Sequence, residues 1–183
     1  MISINKTQGG FSILEVLITA AIIGLITGLV TLKYGAFNHL LLLKNQTFQA
    51  AIDLRETQAR ALSALGQGGT NFRDAYGVHF TTGANDDRYI IFIDTNNNGS
   101  YDAGEEIETR RLDSRFRVNR LCSTTSSCNW SQLSITFKRP NFDARFKSGN
   151  TTLSSGRVEF RSRSGATTVR TVVINAAGQI SVE

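Results

Sequence analysis

Charge is missing where the chain begins. From Phe11 to Leu32 the only ionisable side chain is Glu15. Proline is nearly absent too: Pro140 is the only one, so no ring interrupts the N-terminal third, where it would remove a backbone donor and kink a helix. Cysteine is limited to Cys122 and Cys128, and histidine to His39 and His79. Two cysteines at this spacing are too few for a zinc site, and the two histidines are isolated from each other. No H-E-x-x-H, G-x-S-x-G or Walker loop occurs, and neither cysteine lies near a base in sequence. Gly66-Gln67-Gly68-Gly69 reads as a helix stop and not as a phosphate cradle. The chain is therefore read as a non-enzyme without a resident cofactor. It has no internal repeat and no low-complexity linker.

What is present is concentrated at the start. Residues 11–32 rise about 33 Å as a helix, enough for a hydrocarbon core of roughly 30 Å. A carboxylate near the end of such a span costs roughly 2 to 3 kcal/mol, which marks Glu15 as a functional candidate. The competing reading is an interfacial acid that reaches back to the headgroups. Beyond the span, Leu41, Phe48, Ala51, Ile52, Ala59 and Leu62 recur at helical spacing, with Lys44, Gln46, Asp53, Glu56 and Arg60 between them. This predicts an amphipathic helical half over 33–65 whose apolar stripe seats on a sheet, ended by Gly66, Gly68 and Gly69. Gly24 and Gly28 cost about 1 kcal/mol each inside a helix, and close packing against neighbouring helices accounts for them.

After Thr70 the period changes to two. Tyr76, Val78 and Phe80 alternate with Gly77 and His79, while Tyr89 to Ile93 is a continuous apolar run, as in a strand covered on both faces. Ile107 to Leu112 reads as another strand. Phe116 and Val118, then Leu133, Ile135 and Phe137, then Val158 and Phe160 mark further strands; Val169 to Ile174 and Ile180 to Val182 close the chain. One long helix followed by short strands and polar turns predicts an α+β domain with an antiparallel sheet wrapped on the helix.

The junction Gly10-Phe11-Ser12-Ile13-Leu14-Glu15 follows a short leader carrying Lys6 and precedes the apolar run. This constellation resembles the class III signal of type IV prepilins and type II secretion pseudopilins. The resemblance implies cleavage between Gly10 and Phe11 by a prepilin peptidase, N-methylation of Phe11, and an assembly role for Glu15. It also implies a pilin-like fold, with other pilins and an inner-membrane assembly platform as partners. An ordinary secretory signal wants a small-x-small site beyond its apolar core; Thr19-Ala20-Ala21 lies inside the run, so that reading fails. The expected organisation is a leader over 1–10, a transmembrane helix over 11–32, an amphipathic helix over 33–65 and a β-rich head over 70–183. Lys6 favours a cytoplasmic N-terminus, which puts the head in the periplasm, although Lys33 follows the span closely. In that oxidising compartment Cys122 and Cys128 are expected to form a small disulfide, contributing less than the ~3 kcal/mol of a 15-residue loop. The formal net charge of +5 falls to +4 without the leader, whose one charged side chain is Lys6.

A narrower resemblance rests on the head. Ile93 to Glu105 followed by Ile107 is similar to the hairpin of the GspH/FimT family, and Thr171 to Ile180 to its C-terminal strand pair. It implies a minor pilin at or near the tip of a type IV pilus, or alternatively the minor pseudopilin H of type II secretion. Basic residues follow the C-terminal glycine in some members, whereas here Gln179, Ile180 and Ser181 follow Gly178. Two sharper readings concern single features. Asp94, Asn96, Asn98, Asp102 and Glu105 match the spacing of a calcium loop around Gly99, yet the flanks read as strands, and a polar hairpin turn is the simpler account. Arginines and lysines recur on the strands, among them Arg110, Arg117, Arg145, Lys147, Arg157 and Arg170. Interspersed acids and the lack of interleaved aromatics make nucleic acid a less favoured partner than solvent.

Overall fold

The computed structural model describes residues 10–63, 74–123, 127–140, 143–164 and 168–183. The leader over 1–9, the expected helix stop at Gly66, Gly68 and Gly69, and the start of the head at Thr70 lie outside them. A single helix, α1, runs Ile13–Leu62. The chain divides into two compact units, Met1–His39 and Leu40–Glu183, so α1 contributes to both.

In the first unit the helix begins because Ser12 caps it. Ser12 Oγ accepts from the Leu14 amide at 3.3 Å, and its carbonyl accepts from Glu15 N at 3.0 Å and Val16 N at 3.2 Å. The apolar side chains that follow are exposed on every side, from Ile13, Leu14 and Leu17 to Ile23, Leu25 and Leu29. Hydroxyls in this stretch turn back on the helix: Thr19 donates to the Val16 carbonyl at 3.0 Å and Thr31 to that of Thr27 at 2.7 Å. That is the arrangement an apolar surrounding demands, since it offers these donors no alternative.

Among the described residues the second unit joins α1 from Leu40 to ten strands. In chain order they are β1 Ala75–Thr81, β2 Arg88–Asp94, β3 Glu106–Arg111, β4 Phe116–Cys122, β5 Gln132–Phe137, β6 Ala144–Ser148, β7 Thr151–Leu153, β8 Gly156–Ser162, β9 Val169–Ile174 and β10 Ile180–Val182. They form two antiparallel sheets, β3-β2-β1-β5-β6-β7 and β10-β9-β8-β4. The layout is α+β and pilin-like, with the expected single sheet resolved into two. On β1, Tyr76, Val78 and Phe80 register with Ile93, Ile91 and Tyr89 on one side and with Phe137, Ile135 and Leu133 on the other. All nine are buried, and Phe80 meets Phe160 of the second sheet edge-on at 6.4 Å.

The face that α1 buries departs from the expected stripe. Leu41, Phe48 and Ile52 are exposed, at 43%, 41% and 50%. Ala51 of that stripe is buried, and with it Leu43, Thr47, Ala50, Asp53, Leu54, Thr57 and Ala61 face inward. On this face Ala50, Ala51 and Ala61 are small enough to be covered almost completely. The inward hydroxyls need no partner outside the helix, because Thr47 and Thr57 donate to the carbonyls of Leu43 and Asp53 at 2.8 and 2.7 Å. The end of α1 is held by the sheet: Arg139 donates through Nε to the Ala61 carbonyl at 3.1 Å and through a terminal nitrogen to that of Leu62 at 2.6 Å. A cation on the last unpaired carbonyls is favourable in both charge and hydrogen bonding. Arg55 and Gln58 likewise reach the carbonyls of Ile180 and Gly178, both at 3.1 Å.

Candidate functional site

Gly10, Phe11 and Ser12 precede α1 as non-helical chain, and Glu15 falls in its first turn. The peptide bond after Gly10 is accessible: Gly10 is exposed and Phe11 is 81% exposed. Ser12-x-x-Glu15 has the spacing of a capping box, a signal that a search for membrane motifs passes over. Ser12 caps the helix, but its hydroxyl accepts from the Leu14 amide while the Glu15 amide goes to the Ser12 carbonyl, so the box itself is not formed among the described residues. The Glu15 carboxylate is exposed and has no hydrogen-bond or ion-pair partner among the described residues. An acid that closes the first turn favours the helix N-terminus through the macrodipole; it also presents an unneutralised charge at the head of an apolar rod. A shallow groove on that rod is lined by Gly24, Leu25, Thr27, Gly28, Leu29 and Thr31. A Cβ added at Gly24 or Gly28 meets nothing within 4 Å, so no contact among the described residues requires either glycine.

In the second unit Cys122 and Cys128 are joined by a disulfide. It closes the chain against the edge of β4, where Trp130 bridges Leu121 and the Ser123 amide donates to the Ser127 carbonyl at 2.9 Å.

The Asp94 loop connects β2 to β3, so strands flank it, as its sequence indicated. Its acids are engaged with the backbone. Asp94 accepts from the amides of Asn98 and Gly99 at 3.0 and 2.8 Å, and Glu105 from those of Thr95 and Asp102 at 2.9 and 3.1 Å. Asp102 Oδ2 accepts from the side-chain amides of Asn96 and Asn98 at 2.8 and 2.7 Å. Burial raises the Asp94 pKa, against those amides. Asn97 and Gly99 take positive φ of 58° and 80°, the left-handed conformations that a tight turn needs. Among the described residues no three His, Cys, Asp or Glu side chains converge as a metal cage.

Two polar clusters escaped the sequence reading. Asp53 lies buried on α1, accepting from the Tyr89 hydroxyl at 2.6 Å and from Gln49 at 2.8 Å, with Arg110 Nε at 3.4 Å. Burial, then the Asp53 contact, drives the Tyr89 pKa far above its usual range. His79, on the opposite face of the sheet, pairs Nδ1 with Ser134 Oγ at 2.8 Å and lies 5.1 Å from the Tyr101 ring. Burial pulls the His79 pKa down to about 4. Neither cluster has a sequence signature, because each unites residues from separate strands or from helix and strand.

The basic residues read along the strands divide in two. Arg88, Arg111, Arg115 and Arg157 lie 2.9, 3.5, 2.7 and 2.8 Å from Asp87, Asp87, Asp113 and Glu183. Arg110 also meets Glu108 at 2.9 Å, and Arg163 pairs with Asp86. Among the described residues Lys138, Arg145 and Lys147 have no such acid.

An N-terminal apolar helix with an accessible Gly10–Phe11 junction, followed by antiparallel sheets, defines the layout of a pilin-like protein. Residues 5–31 match the family model described as the prokaryotic N-terminal methylation motif. The match covers the junction, Glu15 and most of the apolar helix, and supports a pilin or pseudopilin processed by prepilin peptidase. The helix stretch Ile13–Thr31 is long and apolar enough to cross a membrane, consistent with membrane anchoring. No curated protein and no solved structure matches the chain.

Proposed function

We propose that this chain is a minor pilin, cut between Gly10 and Phe11, methylated at Phe11, and incorporated at or near the tip of a type IV filament to initiate its assembly. Assembly, not catalysis, is its role. The observation that carries the reading is the Glu15 carboxylate, which has no partner among the described residues yet heads a helix with apolar side chains on every side. In a low-dielectric bundle an unpaired carboxylate is costly, and a cationic amine beside it is attractive. The terminal amine of a neighbouring subunit supplies that cation and sets the axial register. The membrane stores the helix until the filament core replaces lipid around it.

The mass of the mature N-terminus tests the processing step. A chain beginning at methylated Phe11 supports the reading, and one beginning elsewhere removes it. Glu15→Ala tests the register step: insertion should persist while co-purification with other pilins falls, and unchanged assembly would refute the charge pairing.

A further inference from the structure

We propose that the groove between the Asn97–Gly99 tip and the β6–β7 hairpin docks an extended acidic segment of a partner protein. The groove holds about 490 Å³ and is walled by Asn97, Asn98 and Gly99 on one side and by Arg145, Lys147 and Thr152 on the other. Its cations share one face of the six-stranded sheet. Lys147 and Arg145 register with Ser134 and Thr136 on β5, and Lys138 continues the same alternation beyond Phe137. No described carboxylate lies within ion-pair distance of any of the three. The loop tip is held beside them: Lys138 Nζ donates to Asn97 Oδ1, and Ser100 donates to the Gly149 carbonyl at 3.2 Å. The Lys147 stem packs where Gly99 lacks a side chain, 3.5 Å from the place a Cβ would take.

Charge selects an acidic occupant, and the sheet edge selects its conformation. β7 is the last strand of its sheet, so one side of its backbone is unpaired by any described strand. An extended peptide added there continues the antiparallel ladder, and its alternate side chains fall on the face carrying Arg145 and Lys147. Acids at every second residue match that spacing. The only aromatic in the lining is Phe146, which is 1% exposed, so the groove offers no ring on which a nucleobase or sugar could stack. The inference rests on the groove, its charges and the strand edge alone and needs no filament.

The test uses the full-length protein in detergent micelles and a fluorescein-labelled octapeptide alternating Glu and Thr, followed by anisotropy. Saturable binding is expected, weakening at least about tenfold between about 50 and about 300 mM salt and by a similar factor in the Arg145→Glu/Lys147→Glu double variant. Arg145→Lys should retain most of the affinity, and Arg120→Glu, on the other sheet, should change it little. The same peptide N-methylated at alternate residues should bind weakly, since it cannot extend the ladder. Absence of saturable binding, equal binding by the double variant, or undiminished binding of the methylated peptide would each overturn the proposal. So would a DNA duplex or a sulfated oligosaccharide that outcompetes the peptide.

Discussion

Asp53 decides how the helix meets the sheet. Removing its carboxylate in Asp53→Ala leaves the buried Tyr89 hydroxyl without its 2.6 Å acceptor and Arg110 without an inner partner. Breaking such a buried, charge-assisted contact costs roughly 2 to 4 kcal/mol, whereas Asp53→Asn keeps an acceptor and should cost less. Urea denaturation of the two variants measures the difference. His79 gives a pH dependence with a definite sign. Its folded pKa of about 4 lies below the ordinary imidazole value of 6.5, so between those values the unfolded chain binds a proton that the folded chain refuses. The neutral ring's contribution is complete above about pH 6.5 and is lost as pH falls toward 4, amounting to about 3 kcal/mol. Wild type should therefore lose more stability than His79→Gln between pH 7.5 and 4.5; parallel losses by chemical denaturation would remove His79 as the cause. At this scale the sequence was only partly legible. Gly10, Phe11 and Glu15 announce themselves by fixed order and spacing. Asp53 reads as one more solvated helix acid, because its partners Tyr89 and Arg110 are dozens of residues away.

Strands were legible where apolar residues alternate or run together. β1, β4, β5 and β8 to β10 fall where short apolar patterns put them, β2 where the continuous run Tyr89 to Ile93 did, and β3 where Ile107 to Leu112 did. β6 and β7 escaped notice. Ala144–Ser148 has Phe146 as its only large apolar residue, and the informative signal was the Gly149-Asn150 pair that turns β6 into β7. The helix stripe was misjudged, Ala51 apart, because long apolar side chains drew more weight than Ala50 and Thr47. Gly77 shows what close packing demands of a strand. A Cβ there would lie 2.7 Å from the Phe92 ring and 2.8 Å from the Ile135 carbonyl oxygen. Backbone cannot retreat as a flexible side chain can, so Gly77→Ala should destabilise by roughly 1 to 3 kcal/mol in the same denaturation assay. In the first unit the opposite holds: Gly24→Leu/Gly28→Leu should leave helix and insertion intact while weakening association between copies in a crosslinking assay, because the groove it fills faces outward. For the Asp94 loop we propose a hairpin whose amides already satisfy its acids. Millimolar calcium should give no heat in calorimetry and no rise in melting temperature; a clear rise would assign the loop as a cation site instead.

For the molecule as a whole, the first thirty residues speak more plainly than the rest. Their signals are local: the proposed cut site, a cap, an acid and an apolar run all lie within one stretch of chain. The head's charge pairs are written instead in the registry of strands far apart in sequence, which is why a cation with no acid beside it among the described residues, such as Arg145, cannot be told from a paired one such as Arg157 until the sheet is built. Three links tie the end of α1 to the strands and loops around it, from Arg55 and Gln58 to the carbonyls of Ile180 and Gly178, and from Arg139 to the last carbonyls of the helix. The head therefore grips the end of α1 from two separate places in its chain, residues 178–180 and Arg139. The loss of any one hydrogen bond leaves others holding, like a beam tied down by more than one bolt.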